Sequence, residues 1–189
     1  MQPQGKLFVF FGMIASGKST LAEAWAEKSR LTWYNTDRLR KELAGLAPAS
    51  RQREAVDQGI YSKDFSRKTY TALLDAAETE LRKGRGVVLD GSYQSRHERQ
   101  RVRELARRLA VGVYFIQCIC PENLLKERME KRALDPGAVS DGRWEIYLKQ
   151  KERFEPPVEL PDSELLVINT GDTPENLLLG LTKKFERII

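Results

Sequence analysis

The chain has 189 residues, 41% of them hydrophobic and 31% charged, and a formal net charge of +5. That length can bury a sizeable core as one compact unit, and no apolar run reaches the ~18 residues of a membrane span. The start, MQPQGKLFVFFG, has one lysine and no small-residue cleavage site, so its apolar run is read as a strand and a cytoplasmic location is expected.

Apolar runs alternate with helical patterns from there on. LFVFF (7–11) reads as a fully buried strand. Residues 18–30 read as a helix with Leu21, Ala24, Trp25 and Lys28 on one side. LTWYN (31–35) is a short second strand, and 37–46 a helix with Leu39, Leu43 and Leu46 on one face. Residues 47–64 read as loop with short helical pieces, and 65–83 as a long helix ended by Gly84. GVVLDG (86–91) is a third strand. Residues 96–109 form a helix with Val102, Leu105, Ala106 and Leu109 at helical spacing. GVYFIQCIC (112–120) is a fourth strand whose Cys118 and Cys120 point to one face as small buried hydrophobes. Pro121 opens the next helix at the first-turn position proline favours, followed by a loop over 134–142 and a helix over 144–154. ELLVIN (164–169) is a fifth strand, and Thr173 caps a last helix with Pro174 in its first turn. Five alternations predict an α/β fold, a parallel sheet with helices on both faces, in one domain over 1–189.

The first strand runs into Gly12, then Gly17-Lys18-Ser19, which fits G-x-x-x-x-G-K-[ST] between a strand and a helix. Phosphates need close backbone approach, which glycine permits. The amides of Met13, Ile14, Ala15, Ser16, Gly17 and Lys18, with the positive end of the helix, would cradle them. Lys18 would reach the β and γ phosphates, Ser19 would offer its hydroxyl to Mg²⁺, and Thr20 completes the nucleotide-binding stretch. A mild positive excess suits such an anionic ligand without requiring nucleic acid. No N-K-x-D guanine motif follows, and Asp90 precedes Gly91 and Ser92 rather than a water-activating glutamate. Both absences favour transfer to a bound hydroxyl over hydrolysis.

Asp37 lies at the carboxyl end of the second strand, where open parallel sheets bind ligands. Arg40 sits one helical turn on. A carboxylate there can orient or deprotonate an acceptor hydroxyl, and the arginine can hold an anionic group on the acceptor. The alternative is that Asp37 caps its helix, a job Thr36 could do instead. Asp90, at the end of a buried run, should face the phosphate loop. Ser92 and Tyr93 are in reach of the acceptor. Arg128 and Arg132 share a helix face leading to a Gly- and Pro-containing loop, a candidate lid over about 133–143, with Arg143 a weaker candidate beyond it. His97, the one histidine, reads as a solvated surface residue. The helix with Arg96, Arg99, Arg101, Arg103, Arg107 and Arg108 lacks interleaved aromatics and reads as a solvated face, or else a polyanion surface.

GMIASGKST, NTDRLR, TYTALLDAAETELRKGRGVVLDGSY and LLKERMEKRALDPGAVSD, in that order, resemble the P-loop kinases of the AAA_33 and zeta-toxin-like group, which includes phage-type 5′-hydroxyl polynucleotide kinases. The resemblance covers nearly the whole chain. It implies a nucleoside-monophosphate-kinase-like fold, ATP or GTP with Mg²⁺, and Asp90 as the carboxylate that holds a magnesium-bound water and Ser19. It makes Asp37 and Arg40 the pair that activates the acceptor, Arg132 the catalytic lid arginine with Arg128 beside the nucleotide, and the loop with Thr170 a backbone wall for the base. DGSY departs from the commoner Asp-Ala-Thr form. Residues 47–64 match poorly, and acceptor choice is expected there. The expected activity is γ-phosphate transfer to a hydroxyl of a nucleic-acid 5′-end or a small molecule. A nucleotide-sugar kinase and a non-catalytic ATP-binding regulator are the alternatives, and the oligomeric state is open.

Overall fold

The fold rests on five strands: β1 (Leu7–Phe11), β2 (Thr32–Asn35), β3 (Val87–Gly91), β4 (Val113–Ile119) and β5 (Leu165–Asn169). In the computed structural model, which describes residues 5–47, 50, 58–134 and 144–186, all pair in parallel in the order β2-β3-β1-β4-β5. Seven helices surround them among the described residues: α1 (Lys18–Ser29), α2 (Thr36–Leu43), α3 (Lys63–Arg82), α4 (Arg96–Leu109), α5 (Glu122–Leu134), α6 (Trp144–Arg153) and α7 (Pro174–Phe185).

Side-chain alternation on the central strand explains the two layers of core. Leu7, Val9 and Phe11 face α3 and α4, meeting Leu73, Ala77, Val102 and Leu105. Phe8 and Phe10 face α1 and α7, meeting Trp25, Leu181 and Phe185. Every residue of β1 is fully buried, as a strand covered on both faces requires. β1 leaves the sheet between β3 and β4, so the loop after it opens at the point where the strand order reverses, the usual ligand crevice of such sheets.

Several local expectations shift. The inner face of α1 is Leu21, Ala22, Trp25 and Ala26, and Lys28 is exposed. α2 stops at Leu43, because Gly45 adopts φ 70° and the amides of Gly45 and Leu46 return to Glu42 and Lys41, a left-handed closure that glycine allows. Its most buried residues are Thr36, Arg40 and Lys41, with Leu39 and Leu43 only half-buried. Thr36 and Arg40 turn inward because that side of α2 borders a polar cavity, while Leu39 packs against the core. Pro121 stands at the cap of α5, its carbonyl accepting from Leu125. Cys118 is buried and its thiol is pushed up to about 12 by that burial. Cys120 lies past the end of β4 and is half-buried, so the pair is not one buried face. The proposed lid over 133–143 falls outside the described residues except Ala133 and Leu134, which end α5.

The arginine-rich helix α4 is not simply a solvated face. Arg99 is fully buried, its Nε and Nη2 holding Glu159 at 2.6 and 3.2 Å and its guanidinium also donating to the carbonyls of Tyr93 and Glu155. Arg103 holds Glu164 at 2.7 Å, Arg108 holds Glu78 at 2.7 Å and Arg101 holds Glu98 at 3.2 Å. Arg108 ties α4 to α3, Arg99 and Arg103 tie it to the segment before β5, and the Arg101–Glu98 pair lies within α4. Burial is the largest influence on Glu159 and works against its ionised form, but the hydrogen bonds from Arg99 and a backbone amide, with the charges of Arg99 and Arg96, together outweigh it and hold the carboxyl below its ordinary 4.5. Arg99→Ala leaves that carboxylate buried and alone, and is expected to cost about 3–5 kcal/mol in urea denaturation near neutral pH. A depressed carboxylate stabilises the fold above its unfolded value and loses that contribution as pH falls through the folded one. The measured cost should therefore shrink as the pH drops below 4.5.

Candidate functional site

The loop between β1 and α1 turns back on itself, the Ser16 amide donating to the Met13 carbonyl at 3.2 Å. Gly12 and Gly17 have φ of 146° and 81°, and a Cβ on Gly12 would run into the carbonyl oxygen of Cys118. Only glycine meets both demands at Gly12. Gly17 precedes α1 with no side-chain cap, so the first amides of the helix are left for a ligand. Met13 and Lys18 are half-buried, and the Lys18 ammonium curls back to the Met13 carbonyl at 3.4 Å. Ile14, Ala15 and Ser16 are buried, Ser19 is half-buried and Thr20 is exposed on α1.

Arg128 and Thr170 brace this loop from behind. The guanidinium of Arg128 donates to the Thr170 carbonyl at 2.6 Å and hydroxyl at 3.1 Å, and reaches the Ala15 carbonyl at 3.4 Å. The Thr170 hydroxyl donates to the Ser16 carbonyl at 2.5 Å and is buried. Both residues therefore meet the loop's backbone.

Asp90 ends β3 and is fully buried. The Asn35 amide, its register partner on β2, donates to Oδ2 at 2.5 Å. Oδ1 is buried without a hydrogen-bond partner. Burial raises the pKa of the carboxyl, while the charge of Lys18 and the hydrogen bond from Asn35 pull it back. A buried carboxylate oxygen left open beside a serine hydroxyl and a lysine fits a hydrated divalent cation. Ser19 and Asp90 are the residues that would hold Mg²⁺, which supplies charge neutralisation of the phosphates when bound. Asp90→Asn removes a buried charge from a nearly isosteric side chain. It is expected to raise the stability of the ligand-free protein and to weaken the Mg²⁺-dependent part of nucleotide binding by roughly tenfold or more. Thermal unfolding with and without Mg²⁺ checks both.

Asp37 and Arg40 lie on α2 just after β2, and Asp37 does not cap that helix. Asn35 caps α2, accepting from the Arg38 amide at 3.0 Å, and the Thr36 hydroxyl donates to the Asp90 carbonyl. Asp37 is half-buried and accepts from Arg40 at 2.8 Å. Arg40 is buried, lies over the Tyr61 ring and keeps an unpartnered, buried Nε. A Cβ on Gly91 would strike the Thr36 hydroxyl, which explains glycine in DGSY.

Lys18, Ser19, Asp37, Arg40, Asp90 and Arg132 all line one cavity of about 720 Å³. Burial and the Arg128 charge lower the pKa of Arg132, and Asp37 and Asp90 raise it, so its guanidinium is in the field of both carboxylates. Ser92 lines the cavity and shares a hydrogen bond of 3.0 Å with Tyr70, but Tyr93 is buried in the core with φ 38°. His97 is exposed at the rim.

Sequence reading missed two contributors. Gln150 on α6 accepts from the Ile14 amide at 2.8 Å, and α6 is docked on the loop through Tyr147, packed with Ile14, Ala15, Leu125 and Met129. Asn35 orients Asp90. Asn35 was readable as the residue before a helix, the favoured capping place. Nothing local marked Gln150, which lies 136 positions from Ile14.

Among the described residues there is no cluster of three or more metal-ligating side chains, and no helix is long and apolar enough to cross a membrane. An uncharacterised protein of Mycobacterium tuberculosis strain H37Rv is 28% identical over 141 residues, spanning 75% of this chain but 28% of the relative, so the chain covers less than a third of that protein. The fold matches a sugar kinase from Janibacter sp. HTCC2649 with a TM-score of 0.71 and 20% identity over 96% of this chain and 95% of that one. It also matches the APS kinase CysC of Mycobacterium tuberculosis, solved with AMPPNP and APS, with a TM-score of 0.69 and 18% identity over 97% and 99%. Those likenesses give the fold of a P-loop kinase. The sequence profile of one family, described as an AAA domain, matches residues 7–157, and with that match over most of its length the chain belongs to the AAA_33 family.

Proposed function

We propose that the protein is an ATP- and Mg²⁺-dependent kinase that moves the γ-phosphate to a hydroxyl of a small acceptor. The observation that carries this reading is the shared cavity: Lys18 and Ser19 of the phosphate loop and the Asp37–Arg40 pair line the same space. A sensor of nucleotide would need the loop alone. Fold-level likeness to a sugar kinase and to APS kinase supports the reaction class and leaves the acceptor open.

In this account the loop amides and Lys18 bind the β and γ phosphates, and Ser19 and Asp90 hold the cation site. Asp37 accepts a hydrogen bond from the acceptor hydroxyl and takes its proton as the new oxygen–phosphorus bond forms and the bond to the β-phosphate oxygen breaks, releasing ADP. Arg40 fixes the Asp37 carboxylate, and Arg132 offsets charge on the transferring group. Catalysis is then mostly positioning and charge stabilisation. The test is ATP consumption across a panel of sugars, sugar acids, nucleosides and 5′-hydroxyl oligonucleotides, with Lys18→Ala as the blank. Acceptor-dependent turnover absent from the blank supports the reading. Turnover equal in both proteins contradicts it.

A further inference from the structure

Two helices present matching faces to the cavity. On α3 the lining residues are Lys63, Ser66, Arg67 and Tyr70, and on α6 they are Ile146, Lys149, Gln150 and Arg153. Each set follows i, i+3, i+4, i+7, one face of a helix. Each puts two cations toward the same space, away from the buried floor where Tyr70 meets Ser92.

Charge on the lining is unbalanced. Seven lysine and arginine side chains line the cavity against four carboxylates among the described residues. Those carboxylates are engaged. Asp37 is held by Arg40 and Glu98 by Arg101, Asp90 by Asn35, and Glu155 by the Arg96 amide. Lys63 and Lys149 form no ion pair among the described residues. Among the described residues Arg67 pairs only with Asp64, in a pair that is 75% and 89% exposed and so holds it weakly. Deeper in, Arg40 keeps a buried Nε without a partner. Hydroxyls of Ser66, Tyr70, Ser92 and Ser95 line the same space, which suits a polar acceptor better than an apolar one.

Resting on the phosphotransfer reading above, we propose that the acceptor is a small polyol carrying a fixed anionic group, a carboxylate or a phosphate ester. That group sits between Lys63 and Arg67 on one side and Lys149 and Arg153 on the other. A neutral polyol would leave Lys63 and Lys149, which form no ion pair among the described residues, lining the cavity without a counter-charge. A nucleic-acid end would need a basic track leading outward, and four of the six α4 arginines, Arg99, Arg101, Arg103 and Arg108, are tied to Glu159, Glu98, Glu164 and Glu78, which leaves only Arg96 and Arg107 for one among the described residues.

The test needs no turnover. Protein saturated with Mg²⁺ and AMPPNP, so that the phosphate loop is filled, is titrated calorimetrically with inorganic phosphate and with acetate, against chloride at matched ionic strength. Saturable binding of at least one anion is expected, and the tighter of the two tells a phosphate ester from a carboxylate. The double variant Lys63→Ala/Arg67→Ala should weaken that binding roughly tenfold or more with AMPPNP affinity unchanged, and Lys149→Ala on the opposite face should weaken it independently. All three residues are exposed, so the variants should fold. Loaded protein that ignores both anions, or variants that bind them as tightly as the wild type, would overturn the proposal alone. Protein that does not bind AMPPNP would remove the phosphotransfer reading and the proposal with it.

Discussion

Lys18→Ala is expected to weaken Mg²⁺–ATP binding and to cut phosphoryl transfer together, by roughly 10²–10³-fold in transfer, the size of losing one preorganised donor to a developing oxyanion. Among the described residues its ammonium bonds only to the Met13 carbonyl of its own loop, at 3.4 Å, and the side chain is half-buried, so the fold should not depend on it. The positive charge also opposes the burial of Asp90, whose pKa burial raises and Lys18 lowers. Removing it should therefore leave Asp90 harder to ionise as well as the phosphates less well held. Nucleotide affinity by calorimetry and transfer rate, measured on the same preparation, check both effects. Nucleotide protection of the fold that is as large in the variant as in the wild type would count against the loop as the binding site.

Asp37→Asn should separate binding from transfer. The amide keeps an oxygen that can accept from Arg40, now at 2.8 Å from the carboxylate, and it lies outside the phosphate loop, so nucleotide affinity should hold. Transfer should drop roughly 10²–10⁴-fold, the usual share of a general base. Phosphoryl transfer with a loose transition state deprotonates its nucleophile late, and the loss then sits at the lower end of that range. Because Asn35 caps α2 and Thr36 ties it to β3, the substitution should leave helix stability unchanged. Thermal unfolding of the variant separates a lost base from a damaged helix.

How much of this was readable in advance follows from range. The strands were legible because a sheet covered on both faces needs continuous apolar runs, and LFVFF, VVLD and FIQCI supply them. The phosphate loop was legible because backbone geometry at Gly12 and Gly17 admits little else. Asp37 and Asp90 were placed by their positions at strand ends, and Arg40 by its spacing one helical turn beyond Asp37. The inward turn of Arg40 was not legible, because helical spacing pointed to Leu39 and Leu43 and the neighbouring cavity draws the arginine in. Nor was the role of Arg99. A charge on an exposed-looking helix is read as solvated until its partner, 60 positions away in Glu159, is folded over it. The two cationic faces of α3 and α6 were present as helical spacing, but nothing in the sequence says that the helices share a cavity.

The central claim is transfer to an acceptor rather than hydrolysis, and phosphorus NMR of one reaction mixture tests it most directly. Wild-type protein is given Mg²⁺–ATP with the small-molecule fraction of a cell extract, and ADP, inorganic phosphate and new phosphoester are quantified against a mixture lacking the extract. The account predicts ADP matched by a new phosphoester signal, with little ADP formed when the extract is left out. ADP matched by inorganic phosphate at the same rate in both mixtures would contradict it.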